Sequence, residues 1–116
     1  MTIVSGLRII DSNAQTGITW WNWTSSEFDR WLKSLSDNYI NRILSRLYQL
    51  ENGNFGDYKR INELVYELRF FFGKGYRVYY TIEQNEIIIL LCGGDKSKQS
   101  KDIKRANEIL KKREIL

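Results

Sequence analysis

Whatever chemistry this chain performs must run mainly on lysine, arginine, tyrosine, aspartate or glutamate, because its 116 residues include no histidine. That absence removes Ser-His and Cys-His nucleophile activation, His-zinc ligation and imidazole acid–base catalysis together. Two arginines stand out among what is left. Arg69 lies between Leu68 and Phe70, and Arg77 between Tyr76 and Val78. In extended chain each projects from the face opposite its apolar neighbours, and a hairpin centred on Lys74 would aim both the same way. The alternative for each is a solvent-exposed arginine paired with a nearby carboxylate such as Glu67. No His/Cys/Asp cluster has metal-ligand spacing, so neither a metal nor another cofactor is expected.

Charge points to the partner class. Residues 1–92 carry ten basic and ten acidic side chains, whereas residues 93–116 carry eight and four, so the whole +4 excess sits in the last 24 residues. Such a segment suits a polyanion, most simply nucleic acid, although a solvated helix face has the same composition. Cys92, the single cysteine, ends the apolar run from Ile87 and reads as a small buried hydrophobe. That run is far shorter than the roughly 20 residues needed to cross a bilayer, and no secretory leader pattern opens the chain. The expectation is a cytoplasmic protein that does not enter a membrane.

The elements that must position these groups follow from periodicity. With 42% hydrophobic residues and no proline, repeat or low-complexity stretch, residues 1–116 read as one domain. Leu7, Ile9 and Ile10 suggest a first strand, followed by a loop through Ser12, Asn13 and Gly17. Thr24 and Glu27 form a candidate capping box before Phe28, Trp31, Leu32 and Leu35, an amphipathic helix. A second helix starts near Asp37, places Ile40, Ile43, Leu44, Leu47 and Leu50 on one stripe, and stops at Asn52-Gly53.

From Asn62 the period becomes two. Leu64, Tyr66, Leu68, Phe70 and Phe72 share the expected core face, and Val65, Glu67, Arg69 and Phe71 the other. Turns at Gly73-Lys74-Gly75 and Glu83 to Glu86 then separate Tyr76–Ile82 from Ile87–Cys92. The last strand is apolar on both faces and so should be central and covered on both. Gly93-Gly94 reads as a strand terminator, wrongly spaced for a phosphate loop. Ser97 or Ser100 can cap a terminal helix with Ile103, Ala106 and Leu110 inward. The predicted class is α+β, in the order β-α-α-β-β-β-α, with a helical hairpin on a small antiparallel sheet.

Tyr66-Glu67-Leu68-Arg69, Gly75-Tyr76-Arg77-Val78-Tyr79-Tyr80 and Leu90-Leu91-Cys92-Gly93-Gly94-Asp95-Lys96-Ser97, continuing through Gln99 to Asp102-Ile103, together resemble the HigB-like addiction module killer proteins of the RelE/ParE toxin superfamily. The similarity spans roughly residues 26–110 and agrees with the compact RelE fold. It implies a toxin held inactive by a cognate antitoxin, a helix-turn-helix protein of the HigA type, and acting in the RelE manner on mRNA in the ribosomal A site. That reaction is metal-independent: the ribose 2′-hydroxyl attacks the adjacent phosphate, and cations favour its transition state.

By the resemblance Arg77 contacts the scissile phosphate, and Arg69 and Lys96 supply further catalytic cations. Lys98 and Lys101 are candidate substrate contacts. RelE carries a base-stacking tyrosine in its terminal helix where this chain offers only Asp102 or Ile103; Tyr79, with the parity of Arg77, is the candidate aromatic surface, and a packed or merely amphipathic tyrosine is the alternative. Asp102 could accept a proton or pair with nearby lysines. Trp20, Trp21 and Trp23 are not all expected in so small a core and are candidates for contact with the antitoxin or a second toxin subunit, with ordinary packing of the N-terminal segment as the alternative. Two other readings share the sequence features: a ParE-like gyrase inhibitor without chemistry, and a non-catalytic nucleic-acid-binding partner.

Overall fold

The computed structural model describes residues 8–10, 19–21, 23–83 and 87–115. Three short strands come first: β1 (Arg8–Ile10), β2 (Thr19–Trp21) and β3 (Trp23–Thr24). Helices α1 (Ser26–Lys33) and α2 (Asp37–Glu51) follow, then β4 (Tyr58–Arg60), β5 (Tyr66–Arg69), β6 (Tyr76–Glu83) and β7 (Ile87–Asp95). A single 3-10 turn, Lys96–Lys98, leads into α3 (Gln99–Ile115). The α+β class and its order of main elements are as the periodicities require. The main sheet has five strands in the order β3-β7-β6-β5-β4, antiparallel from β4 to β7, with β3 added in parallel at the β7 edge.

The sheet buries both faces. On one, Phe28 and Leu32 of α1 and Ile43, Leu47 and Leu50 of α2 meet Leu68, Phe70, Val78, Tyr80, Ile88 and Leu90. On the other, Ala106, Ile109 and Leu110 of α3 cover Val65, Tyr79, Ile89, Leu91 and Cys92. A register shift where β6 passes from Tyr79 to Tyr80 gives β7 one extra residue, since Tyr79 faces Cys92 and Tyr80 faces Leu90. The consecutive Leu91 and Cys92 therefore both join the α3 side, which strict alternation would forbid. The expected central, doubly covered last strand is β7.

Several local expectations need correction. The strand near Ile9 pairs only with β2, outside the main sheet; Leu7 and the loop at 12–17 lie outside the described residues. Ser25, not Thr24, caps α1: its hydroxyl accepts from the Phe28 amide at 3.0 Å and donates to the Leu91 carbonyl, while its own amide donates to Leu90 O at 3.0 Å. Thr24 belongs to β3, so the cap also anchors the helix to the sheet. The strand expected from Asn62 begins at Tyr66; Leu64 is exposed because Asn62 Oδ1 accepts from the Leu64 and Val65 amides and turns the chain there. β4 had no expectation at all.

Gly93-Gly94 does not end a strand, since β7 runs through to Asp95. A Cβ on Gly93 would overlap the Trp31 ring, and one on Gly94 would overlap an Asp102 carboxylate oxygen. The pair exists so that a helix can approach β7 closely on each side. The 3-10 turn before α3 is capped by Asp95, whose Oδ1 accepts from the Ser97 amide at 2.9 Å; Ser97 lies inside that turn and Ser100 inside α3, so neither stands at the helix start expected of a cap.

Candidate functional site

The β5–β6 hairpin turns through Phe72–Gly75, with Gly73 and Gly75 at φ 57 and 73 degrees, where a Cβ would be strained. Phe70 N donates to Tyr76 O at 3.0 Å and closes it. Arg69 stands directly opposite Arg77, and Arg77 opposite Gly94, so one row crosses three strands. The two arginines share a face as expected, about Gly73 rather than Lys74. The adjacent row is Glu67, Tyr79 and Cys92.

That face is not open to solvent along its length. Arg77 is only 8% exposed, and its Nε lies 3.9 Å from Oε2 of the fully buried Glu67. Nη1 donates to the carbonyls of Gly75 and Tyr76 at 3.3 and 3.4 Å. Glu67 Oε2 also accepts from Gln99 Nε2 at 2.7 Å, which ties the first turn of α3 to the arginine row. Arg69 is half-buried and pairs not with Glu67 but with Asp57, Nη2 to Oδ1 at 2.8 Å. Asp57 precedes β4, an element without a sequence signal, so this partner could not have been anticipated. Glu67, the carboxylate that strand parity offers to both arginines, pairs with Arg77 alone.

Lys96 is exposed in the turn after β7, its amide 3.5 Å from Lys74 O. A Cβ on Gly75 would stand 3.4 Å from Lys96 Cβ and 3.9 Å from Arg77 Nη1, so this glycine lies between the base of the Lys96 side chain and the Arg77 guanidinium. Lys74, Asp95, Lys96 and Ser97 line a cleft of about 560 Å³. Arg77 and Lys96 are thus brought together, with Arg69 next in the row. Lys98 and Lys101 are exposed around the start of α3, near enough to Asp102 to lower its proton affinity.

Burial outweighs those lysines and raises the Asp102 carboxyl above the ordinary range, and the Asp95 charge adds to the rise. Asp102 lies over Gly94, beside Arg77 in the row, and its buried Oδ2 has no hydrogen-bond partner among the described residues. It also lines a second cleft, of about 570 Å³, between α1 and α3 with Trp31, Arg30, Arg105 and Glu27. Asp95 is held low, chiefly by the Ser97 hydroxyl. Burial pushes the Cys92 thiol up to about 12, which leaves it inert as a nucleophile at neutral pH.

Tyr79 must be corrected. It is fully buried beneath α3, and burial, then the Glu67 charge, push its hydroxyl far above the phenol range. The parity that groups it with Arg77 places it under the terminal helix, so its ring offers no face to a base. The side chains of Trp20, Trp21 and Trp23 lie outside the described residues. Their backbones form β2 and one residue of β3. Among the described residues no group of three or more His, Cys, Asp or Glu could hold a metal ion. Among the described residues no helix is long and apolar enough to cross a membrane.

The site is therefore a row of cations with Asp102, a carboxyl of raised proton affinity, over Gly94, carried on an α+β scaffold. Residues 30–113 match the family described as "Phage derived protein Gp49-like (DUF891)", and the chain belongs to that family. It is 48% identical over 84 residues to an uncharacterized protein of Haemophilus influenzae, which covers 72% of this chain and 85% of that one. No solved structure matches the chain significantly.

Proposed function

We propose that this protein is the toxin of a type II toxin–antitoxin module, HigB-like in kind, and that it cleaves mRNA on the ribosome without a metal. The observation that carries this reading is the cross-strand row Arg69–Arg77–Gly94 with Lys96 beside Arg77 and Asp102 seated on Gly94. Phosphodiester cleavage gathers a second negative charge on the phosphate in its transition state, and fixed cations in a partly dry site stabilise that charge more than the ground state.

In this scheme the 2′-oxygen bonds to phosphorus as the 5′-oxygen departs, giving a 2′,3′-cyclic phosphate and a 5′-hydroxyl. The 2′-hydroxyl proton passes to the Asp102 carboxylate, whose raised proton affinity makes it a better base than an ordinary aspartate. The Lys96 ammonium supplies a proton to the leaving oxygen. Arg77 Nη2, which donates to nothing among the described residues, and Arg69 hold the phosphate. Glu67 sets the Arg77 orientation through the buried pair. The partner that restrains the toxin would be a HigA-like antitoxin.

One substitution in the RNA tests the chemistry. A message with 2′-deoxyribose at the mapped cleavage position should stay intact on the programmed ribosomes that cut the ribose message. Cleavage of the deoxy message would exclude this mechanism. One observation favours the gyrase-inhibitor reading instead: Arg77 is largely enclosed. That reading requires DNA breakage with intact mRNA.

A further inference from the structure

We propose that Phe71 and Arg42 form a subsite for one unpaired nucleobase and its phosphate, beyond the end of β5 that carries Arg69; the assignment rests on the RNA reading above. Phe71 is 81% exposed, while its neighbours Phe70 and Phe72 are packed against the helical hairpin. It follows Arg69 by two residues, a rise of about 7 Å in extended chain, and directly precedes the hairpin turn that carries Lys74. Phe70, Phe71 and Phe72 line a slot of about 270 Å³ with Arg42 and Arg46. That is the small end of ligand cavities, suited to one flat ring rather than a larger molecule.

The two arginines of the slot are differently employed. Arg46 is committed to the backbone, donating to the carbonyls of Arg69, Phe55 and Asp57 at 3.1, 3.4 and 3.4 Å. Arg42 makes no hydrogen bond or ion pair among the described residues, and its guanidinium lies 4.1 Å from the Phe72 ring centroid. Its donors remain available to a phosphate, and its plane and the Phe71 ring are the two surfaces on which unpaired bases stack. A protein-binding patch would have an apolar centre depleted in charge. Here a single exposed ring stands with Arg42 and Arg46, and the slot has no carboxylate in its lining, so nucleic acid fits it better.

The test compares Phe71→Ala, Phe71→Leu, Phe71→Trp and Arg42→Ala in two assays: the half-saturating toxin concentration for mRNA cleavage on programmed ribosomes, and anisotropy with a fluorescent single-stranded RNA octamer. Phe71→Ala and Phe71→Leu should each weaken saturation or binding about tenfold, the usual worth of one stacked base. Phe71→Trp should stay near wild type, and Arg42→Ala should reduce the slope of log affinity against log salt by about 0.7. Active wild type with unchanged Phe71→Ala overturns the subsite alone, and so does full recovery by leucine, which marks an apolar protein contact. Wild type inert in both assays overturns the cleavage reading and the subsite with it.

Discussion

Arg77 and Glu67 are enclosed together, and that fixes what their substitution should cost. Removing one member of a buried pair leaves the other charge uncompensated, so Arg77→Ala should lower stability by about 3 kcal/mol, the low end for such pairs given the 3.9 Å separation. Arg77→Ala combined with Glu67→Gln should recover part of that loss, and urea unfolding of the four proteins of the cycle measures it. Asp102 makes a prediction of opposite sign. Its folded carboxyl binds a proton more tightly than the unfolded one, so stability falls as pH rises from the ordinary aspartate range through the raised folded value. Asp102→Asn should therefore raise the melting temperature at neutral pH, leave it unchanged in strong acid, and abolish cleavage. A lower melting temperature at neutral pH would contradict the account of Asp102. Parity in the sequence was enough to pair Arg69 with Arg77, but it also nominated Tyr79, because alternation says which face a residue takes and not whether a distant helix covers it.

At the level of elements, the helical hairpin, the β5–β6–β7 meander and α3 were all legible from periods of 3.6 and 2. β4 was not, since three exposed residues, Tyr58 to Arg60, carry no apolar alternation and pair only because β5 offers an edge. The glycine pair was seen but misread: local sequence marks a break, while close approach by Trp31 and Asp102 depends on packing across the fold. The two glycines separate stability from activity. Gly93→Ala drives a methyl into a rigid indole and should cost about 1–3 kcal/mol by overpacking. Gly94→Ala meets the end of a flexible side chain, so it should cost less stability yet displace Asp102 and reduce cleavage more. Thermal melts alongside cleavage rates would reveal whether the two effects divide this way.

For the whole molecule, the charge asymmetry visible in the sequence falls on the end of β7, the 3-10 turn and α3. The basic turn and the first turn of α3 bring Lys96, Lys98 and Lys101 to the end of the sheet where Arg69 and Arg77 lie. Exposed lysines of this kind act on encounter more than on chemistry. Replacing Lys98 and Lys101 with glutamine should slow association with programmed ribosomes and weaken its salt dependence, while the cleavage rate at saturation stays close to wild type. A saturating rate that falls with association would place these lysines in the reacting site instead. The central claim, that this row of cations cuts RNA, is tested most directly by incubating purified protein with ribosomes holding mRNA in the A site, with free mRNA, and with an Arg77→Lys variant whose folding is verified by its melt. The account predicts cleavage on the ribosome alone and its loss in the variant, because lysine cannot reproduce the guanidinium geometry; intact mRNA in every lane would contradict it.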